Sequence, residues 1–290
     1  MAQNASVQKA QNQAERAQNQ AEQASQEASP WIDRLGRFGY TAKGIVYAIV
    51  GVLAFQVAIG SGGRTTGSSG ALQSIANQPF GQLLLGLVAI GLAGYVVWRF
   101  AEAIADPENK GTDAKGIATR IGYVVSGILY GFLAFTAVQI VMGNGGGGGG
   151  SSTESFTARL MSQPFGQWLV GIVGIITIAA GFEQLQRAYK ASFRKKFKLQ
   201  DMSPTEQTWA TRLGRFGLAA RGVVWTMIGI FFIVAAYQAQ PQEAEGLAQV
   251  LQTLVQQPFG PWLLGIVALG LIAYGIFMVI QARYRRMIET

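Results

Sequence analysis

Six apolar runs, at roughly 35–60, 79–105, 117–142, 164–186, 213–239 and 258–282, alternate with polar connectors along the chain. A helix rising 1.5 Å per residue needs about 20 residues to cross a hydrocarbon core of about 30 Å, so each run is long enough to span a membrane. Runs one, three and five each lead through a polar loop into a partner run. The second run of every pair opens on the same block: Gln78-Pro79-Phe80-Gly81, Gln163-Pro164-Phe165-Gly166 and Gln257-Pro258-Phe259-Gly260. Proline tolerates the first turn of a helix, where its missing N–H leaves no bond unmade, and this placement is the expectation here.

The first run of each pair repeats as well. Arg37-Phe38-Gly39-Tyr40, Arg120-Ile121-Gly122-Tyr123 and Arg215-Phe216-Gly217-Leu218 are followed by Gly44, Gly127 and Gly222, then by Tyr47, Tyr130 and Trp225. The spacing between copies of this pattern matches that of the Gln-Pro-Phe-Gly blocks to within two residues, so the chain is a triplicated hairpin. An even number of crossings per copy inserts all three the same way up. The predicted fold is therefore all-α: six transmembrane helices in three parallel two-helix repeats, arranged with pseudo-threefold symmetry. The divisions are a low-complexity polar tail at 1–29, then repeats at 30–110, 111–200 and 201–290.

Small residues recur at helical spacing. Gly44 and Gly51, Gly127 and Gly222 lie on first helices, and Gly86, Gly171 and Gly265 align on the second helices. Without a hydrophobic drive between helices in lipid, such stripes let backbones approach, and they are expected to be helix-packing faces. A substrate path lined by glycines is the other reading. Short apolar-periodic segments before each Gln-Pro-Phe-Gly block, such as Leu247, Val250, Leu251 and Leu254, predict helices lying in the outer interface. Ser203-Pro204-Thr205-Glu206 predicts a capping box at the start of the fifth span.

Charge sets the orientation. Arg64 and Arg159 are the only basic residues in the three loops inside the hairpins, and the other 21 of 23 Lys and Arg fall on the opposite side. Cytoplasmic loops retain Lys and Arg, so both termini are expected in the cytoplasm and the protein in the plasma (inner) membrane, with no cleaved signal peptide. Ala10, Ala14, Ala17, Ala21, Ala24 and Ala28 of the tail alternate by four and three, a heptad spacing too poor in buried area for a stable coiled coil. Lys190, Arg194, Lys195, Lys196 and Lys198, interleaved with Phe193 and Phe197, are expected to contact anionic lipid headgroups. No nucleic-acid motif accompanies them.

Composition narrows the chemistry. The 290 residues include no Cys and no His, which removes disulfides, thiolate ligands and the usual general base near neutral pH. No nucleophile–base pair or nucleotide fingerprint is present, so neither enzymatic activity nor a cofactor or metal is expected. Ionisable and polar groups inside the spans are functional candidates by default. Lys43 and Arg221 occupy equivalent positions where the second repeat has Ser126, Glu183 replaces Trp98 and Phe277, and Gln56 matches Gln139. Arg99 and Glu102, three residues apart, are expected to pair with each other. These groups either line a pathway or reach the interface locally.

With these motifs in view, the chain resembles the bacterial membrane proteins of the domain-of-unknown-function 1206 type, which have three tandem two-helix transmembrane repeats. The likeness covers about residues 31–286 and implies architecture and membrane location, with no activity or catalytic residues to carry over. The mitochondrial carriers are similar in repeat plan only, since their Pro-x-[Asp/Glu]-x-x-[Lys/Arg] signature is absent from the first helices here. The expected function is a structural or interaction role in the plasma membrane, with a homo-oligomer or another membrane protein as partner; the alternative is a transporter or channel along the pseudo-threefold axis. Orientation is testable in this cysteine-free background. An impermeant thiol reagent added outside cells should label Ser68→Cys and miss Lys195→Cys, and the reverse pattern would invert the topology.

Overall fold

The computed structural model describes residues 31, 33–106, 111, 113–144, 152–240, 244 and 246–286. Six helices are long and apolar enough to cross a membrane: α1 (Asp33–Ala58), α3 (Gly81–Ile104), α4 (Ala114–Val141), α6 (Gly166–Lys190), α7 (Pro204–Gln238) and α9 (Gly260–Tyr284). Between the members of each pair stand three short helices, α2 (Ser68–Ala76), α5 (Ser152–Met161) and α8 (Leu247–Gln256). The tail over 1–29 and the glycine run from Gly145 to Gly150 lie outside the described residues. At the start of α7 the Ser203 hydroxyl accepts from the Glu206 amide at 3.2 Å, and Glu206 accepts from the Ser203 amide at 2.8 Å, the capping box that the spacing predicts.

The Gln-Pro-Phe-Gly block departs from expectation. Its proline sits in a reverse turn ahead of α3 and α6, outside the helix proper. Gly81, Gly166 and Gly260 donate their N–H to the carbonyls of Gln78, Gln163 and Gln257 at 2.7, 2.9 and 2.8 Å. Phe80, Phe165 and Phe259 occupy the third turn position in the left-handed conformation, at φ 60°, 62° and 61°. A type II turn normally reserves that position for glycine. The glycine that follows is required for another reason: a Cβ at Gly81, Gly166 or Gly260 would stand 2.3, 2.0 or 1.9 Å from a carbonyl oxygen of the preceding short helix. The block is a joint that folds each short helix down onto its span.

Those short helices plug one end of the bundle. Leu72 of α2 and Val250 and Leu251 of α8 are fully buried in the core. A Cβ at Gly67, which leads into α2, would lie 3.9 Å from the Ala248 amide nitrogen of α8. The short helices expected ahead of each block are present, and the apolar faces of α2 and α8 are used up against the spans.

The spans form a ring in which each repeat docks on the one before it. Gly44 of α1 and Gly275 of α9 approach so closely that a Cβ on either would stand 2.6 Å from the other's carbonyl oxygen, and a Cβ at Gly229 of α7 would stand 2.7 Å from the Gly174 carbonyl of α6. The recurring arginine locks each junction. Arg37 donates to the carbonyls of Ala282 and Arg283 at 2.8 and 2.7 Å, at the end of α9. Arg120 donates to Ala103 and Ile104 at 2.7 and 3.1 Å, at the end of α3, and Arg215 to Tyr189 at 3.3 Å, at the end of α6. The last carbonyls of a helix have no intrahelical partner and carry partial negative charge, so a guanidinium satisfies both needs.

Contacts within a hairpin are not threefold. In repeats one and three, Gly39 and Gly217 let first helices press on second helices: a Cβ at either would stand 2.5 Å from the backbone nitrogen of Tyr95 or Tyr274. Ala42 faces Gly91 and Ala220 faces Gly270 in the same way. Repeat two has Val125 and Ile176 at those positions, branched side chains that are 50% and 62% exposed. A Cβ at Gly122, the counterpart of Gly39, would meet nothing within 4 Å among the described residues. The ring is therefore open along one seam, between α4 and α6.

The seam makes a sharp prediction at one repeat position. Gly39→Ala and Gly217→Ala should lower the thermal midpoint of the detergent-purified protein, since overpacking costs about 1–3 kcal/mol. Gly122→Ala should leave it unchanged or raised, alanine being the better helix former by about 1 kcal/mol. Equal destabilisation by all three would mean that repeat two is closed like the others.

Candidate functional site

Beyond the arginine ring, six residues and about 9 Å farther along the first helices, polar side chains converge inside the bundle. Lys43 of α1, only 4% exposed, donates from Nζ to the Tyr95 hydroxyl at 2.9 Å. Its ammonium lies 4.8 Å from the Tyr95 ring centroid, 4.7 Å from that of Tyr130 and 5.9 Å from that of Tyr274, rings from α3, α4 and α9. Arg99 of α3 donates from Nε to the same Tyr95 hydroxyl at 2.7 Å and stacks 4.8 Å from the same ring. Arg221 of α7 donates to Gln184 of α6 at 2.9 Å and to the Tyr274 hydroxyl at 3.1 Å. Its guanidinium lies 4.6 Å from the Trp225 ring and 4.9 Å from that of Tyr274.

The rings are held by one another: Tyr40 is edge-on to Tyr95, Tyr95 to Tyr130 and Tyr47 to Tyr274, at centroid distances of 5.4, 4.7 and 4.9 Å. At the margin sits Glu102, 1% exposed, which bonds Arg99 at 2.5 Å and Arg285 at 2.8 Å. Arg285 also bonds the Tyr40 hydroxyl. The Arg99–Glu102 pair thus forms as expected, and in addition ties α3 to the chain beyond α9.

The charges do not balance. Arg99 has a carboxylate partner, while among the described residues Lys43 and Arg221 meet hydroxyls, an amide and aromatic rings. The Nε of Arg221 is buried with no hydrogen-bond partner among the described residues. The Tyr95 hydroxyl accepts from two cations, which leaves its own proton free to be donated. The cluster is an array of donors with a surplus of positive charge.

The remaining candidates lie elsewhere. Glu183, with its side chain 56% exposed, pairs with Arg187 one turn along α6. Its counterparts Trp98 and Phe277 are buried against Gly36 and Gly214 of their first helices, so the substitution falls on the open seam. Gln56 lines an apolar groove of about 630 Å³ between α1 and α3. The backbone carbonyls of Gln56 and Gln139 accept from the Ser61 and Asn144 amides at 3.0 Å, closing their helices. Neither glutamine joins the cluster.

Among the small residues, Gly44, Gly51, Gly127 and Gly222 face neighbouring repeats, whereas a Cβ at Gly171 or Gly265 would have only ordinary contact, at 3.7 Å, and one at Gly86 would meet nothing within 4 Å among the described residues. Packing at Gly86 is thus a correction. In the basic linker, Phe193 and Phe197 pack on Phe277 inside the protein, at centroid distances of 4.9 and 6.0 Å. That burial leaves Lys190 and Lys195 exposed, and Arg194, Lys196 and Lys198 half-buried, around the end of α9.

Sequence reasoning found Lys43 and Arg221 and missed the tyrosines between them. A signal existed: tyrosine favours the membrane boundary, yet Tyr95 and Tyr274 recur at one deep position of α3 and α9. Their partnership with cations of other helices required the fold. Among the described residues no group of three metal-ligating side chains occurs.

The model of the Domain of Unknown Function (DUF1206) matches the chain three times, over residues 38–106, 121–191 and 216–285, one match per hairpin. A relative titled "Uncharacterized protein YxxB", from Bacillus subtilis (strain 168), is 40% identical over 262 residues, covering 90% of this chain and 94% of its own length. No solved structure matches. With all three hairpins matched and likeness to that relative along nearly the whole length, this multi-pass membrane protein belongs to the DUF1206 family.

Proposed function

We propose that the protein binds an anion within the helix ring, at the cation–tyrosine cluster. The observation that carries this reading is that Lys43, buried, and Arg221, half-buried, stand at one repeat position of two different repeats with neutral partners. Ring stacking contributes about 0.5–2 kcal/mol per contact and offsets part of the cost of burying each cation. It does nothing to the repulsion between cations that share a ring. Lys43 and Arg221 lie 5.9 and 4.9 Å from the Tyr274 centroid. Their separation cannot exceed the sum of those distances, so they repel by at least roughly 1.5 kcal/mol at an effective dielectric of about 20. A bound anion removes that repulsion and supplies the acceptor that the Arg221 Nε lacks.

This reading belongs to the ligand-binding class and draws on the transporter alternative, without an axial pore: α2 and α8 plug the end of the axis remote from the arginine ring. The cluster lies toward the basic end, which faces the cytoplasm if the lysines and arginines stay on that side of the plasma membrane. A structural or interaction role is the second reading. It is favoured by the unpaired apolar faces of α4 and α6, which suit a second copy or another membrane protein.

The test is thermal unfolding of detergent-purified protein in a gluconate buffer against a panel of inorganic phosphate, sulfate and anionic phospholipid. A ligand at a hundred times its Kd stabilises by about 2.7 kcal/mol, a rise of several degrees. At least one anion should raise the midpoint of the wild type, and Lys43→Gln and Arg221→Gln should abolish the rise. A wild type indifferent to the whole panel sinks the reading.

A further inference from the structure

We propose that the anion is the headgroup of an anionic phospholipid that enters sideways through the seam between α4 and α6. This rests on the anion reading above and names its ligand class. Three independent features of repeat two converge on the seam.

The first is access. In repeats one and three the first and second helices are pressed together, whereas Gly122, Val125 and Ile176 leave the path between α4 and α6 open to lipid. The plug formed by α2 and α8 closes the axis from the far end, so the bilayer itself is the unobstructed neighbour of the cluster.

The second is what the seam leads to. Tyr130 of α4, half-buried, is the ring nearest the Lys43 ammonium, and Gln184 of α6 is the Arg221 partner. The two sides of the opening are thus the two contacts behind which the uncompensated cations sit. Ser126, half-buried one turn before Tyr130, stands where the other repeats carry Lys43 and Arg221. The second repeat therefore adds a small neutral side chain where a third cation would have closed the ring of charge.

The third is the chemistry of the walls. Leu129 and Phe132 of α4 and Ile172 of α6 are exposed apolar side chains suited to acyl chains. Glu183, at the basic end of the seam, is neutralised by Arg187. A diacyl anion satisfies both halves: phosphate for the donor array and tails for the stripes. A free phosphate satisfies only the first.

The experiment uses full-length protein, delipidated in a nonionic detergent, and titrates phosphatidylglycerol, phosphatidylcholine and inorganic phosphate while following thermal unfolding. Phosphatidylglycerol should raise the midpoint by several degrees, and at least tenfold more phosphatidylcholine or phosphate should be needed for the same rise. Gly122→Trp, which adds a wall where nothing stands, should weaken the phosphatidylglycerol effect at least tenfold while the protein keeps its own midpoint. Arg221→Gln should weaken the phosphatidylglycerol effect as well; should that variant fail to fold, mass spectrometry of lipid retained by the wild type replaces it, with phosphatidylglycerol expected well above its share of the membrane.

A rise with inorganic phosphate equal to that with phosphatidylglycerol, untouched by Gly122→Trp, overturns lipid entry and leaves anion binding standing. Equal stabilisation by phosphatidylcholine, or retained lipid that mirrors the bulk membrane, also overturns it. No rise with any of the three overturns the lipid proposal, and the anion reading falls with it only if sulfate leaves the midpoint unchanged as well.

Discussion

The last carbonyls of a helix have no partner within it, and the architecture follows from how three helix ends meet that need. Arg37, Arg120 and Arg215 each reach across to the final carbonyls of the preceding repeat's second helix, with α9 handing back to α1. One interaction therefore does two jobs: it finishes a helix and fixes which hairpin neighbours which. Because α1 caps α9, the order closes into a ring. The glycine faces then set how near the neighbours come, since only backbone-to-backbone approach gives enough dispersion contact to hold helices together in lipid.

The arginine lock recurs at all three junctions of that ring, while glycine backbones meet at two of them, α1 with α9 and α6 with α7; between α3 and α4, Gly127 faces the Phe100 ring. Hairpin interiors recur only twice, because repeat two carries Val125 and Ile176 where the others have alanine and glycine. Glu183, replacing a buried aromatic, sits on the same open side, where its side chain is exposed and paired with Arg187. The departures from symmetry in repeat two thus share one consequence. They form an opening, and the polar interior lies directly behind it.

The interior itself is built against its own electrostatics. Three cations share two tyrosine rings, with one carboxylate at the edge. Apolar residues of similar volume would pack the same space without repulsion, and burying ions seldom improves stability by itself. Placement of charge where it weakens the fold is what makes the cluster the candidate site. Lys43 and Arg221 stand out in this respect far more than Arg99, whose pairing with Glu102 accounts for it.

Much of the fold was legible in the linear chain. Spans, repeat number, parallel insertion and the α7 capping box follow from run length, internal periodicity and local spacing, all of which depend on neighbours in sequence. The meaning of Gln-Pro-Phe-Gly did not follow. Its proline suits a helix start and a turn equally, and the clash that demands Gly81 is with a carbonyl of another helix. Lys43 and Arg221 were visible as anomalies, but whether a long cation snorkels out or turns inward depends on what faces it. Tyr95, Tyr130, Tyr274 and Gln184 belong to helices far apart in the chain, and only packing brings them to those cations. The chain order alone settled how many helices are long and apolar enough to cross and how they repeat; the ring decided which charges meet and where one side stays open, because those depend on distances that sequence separation does not encode.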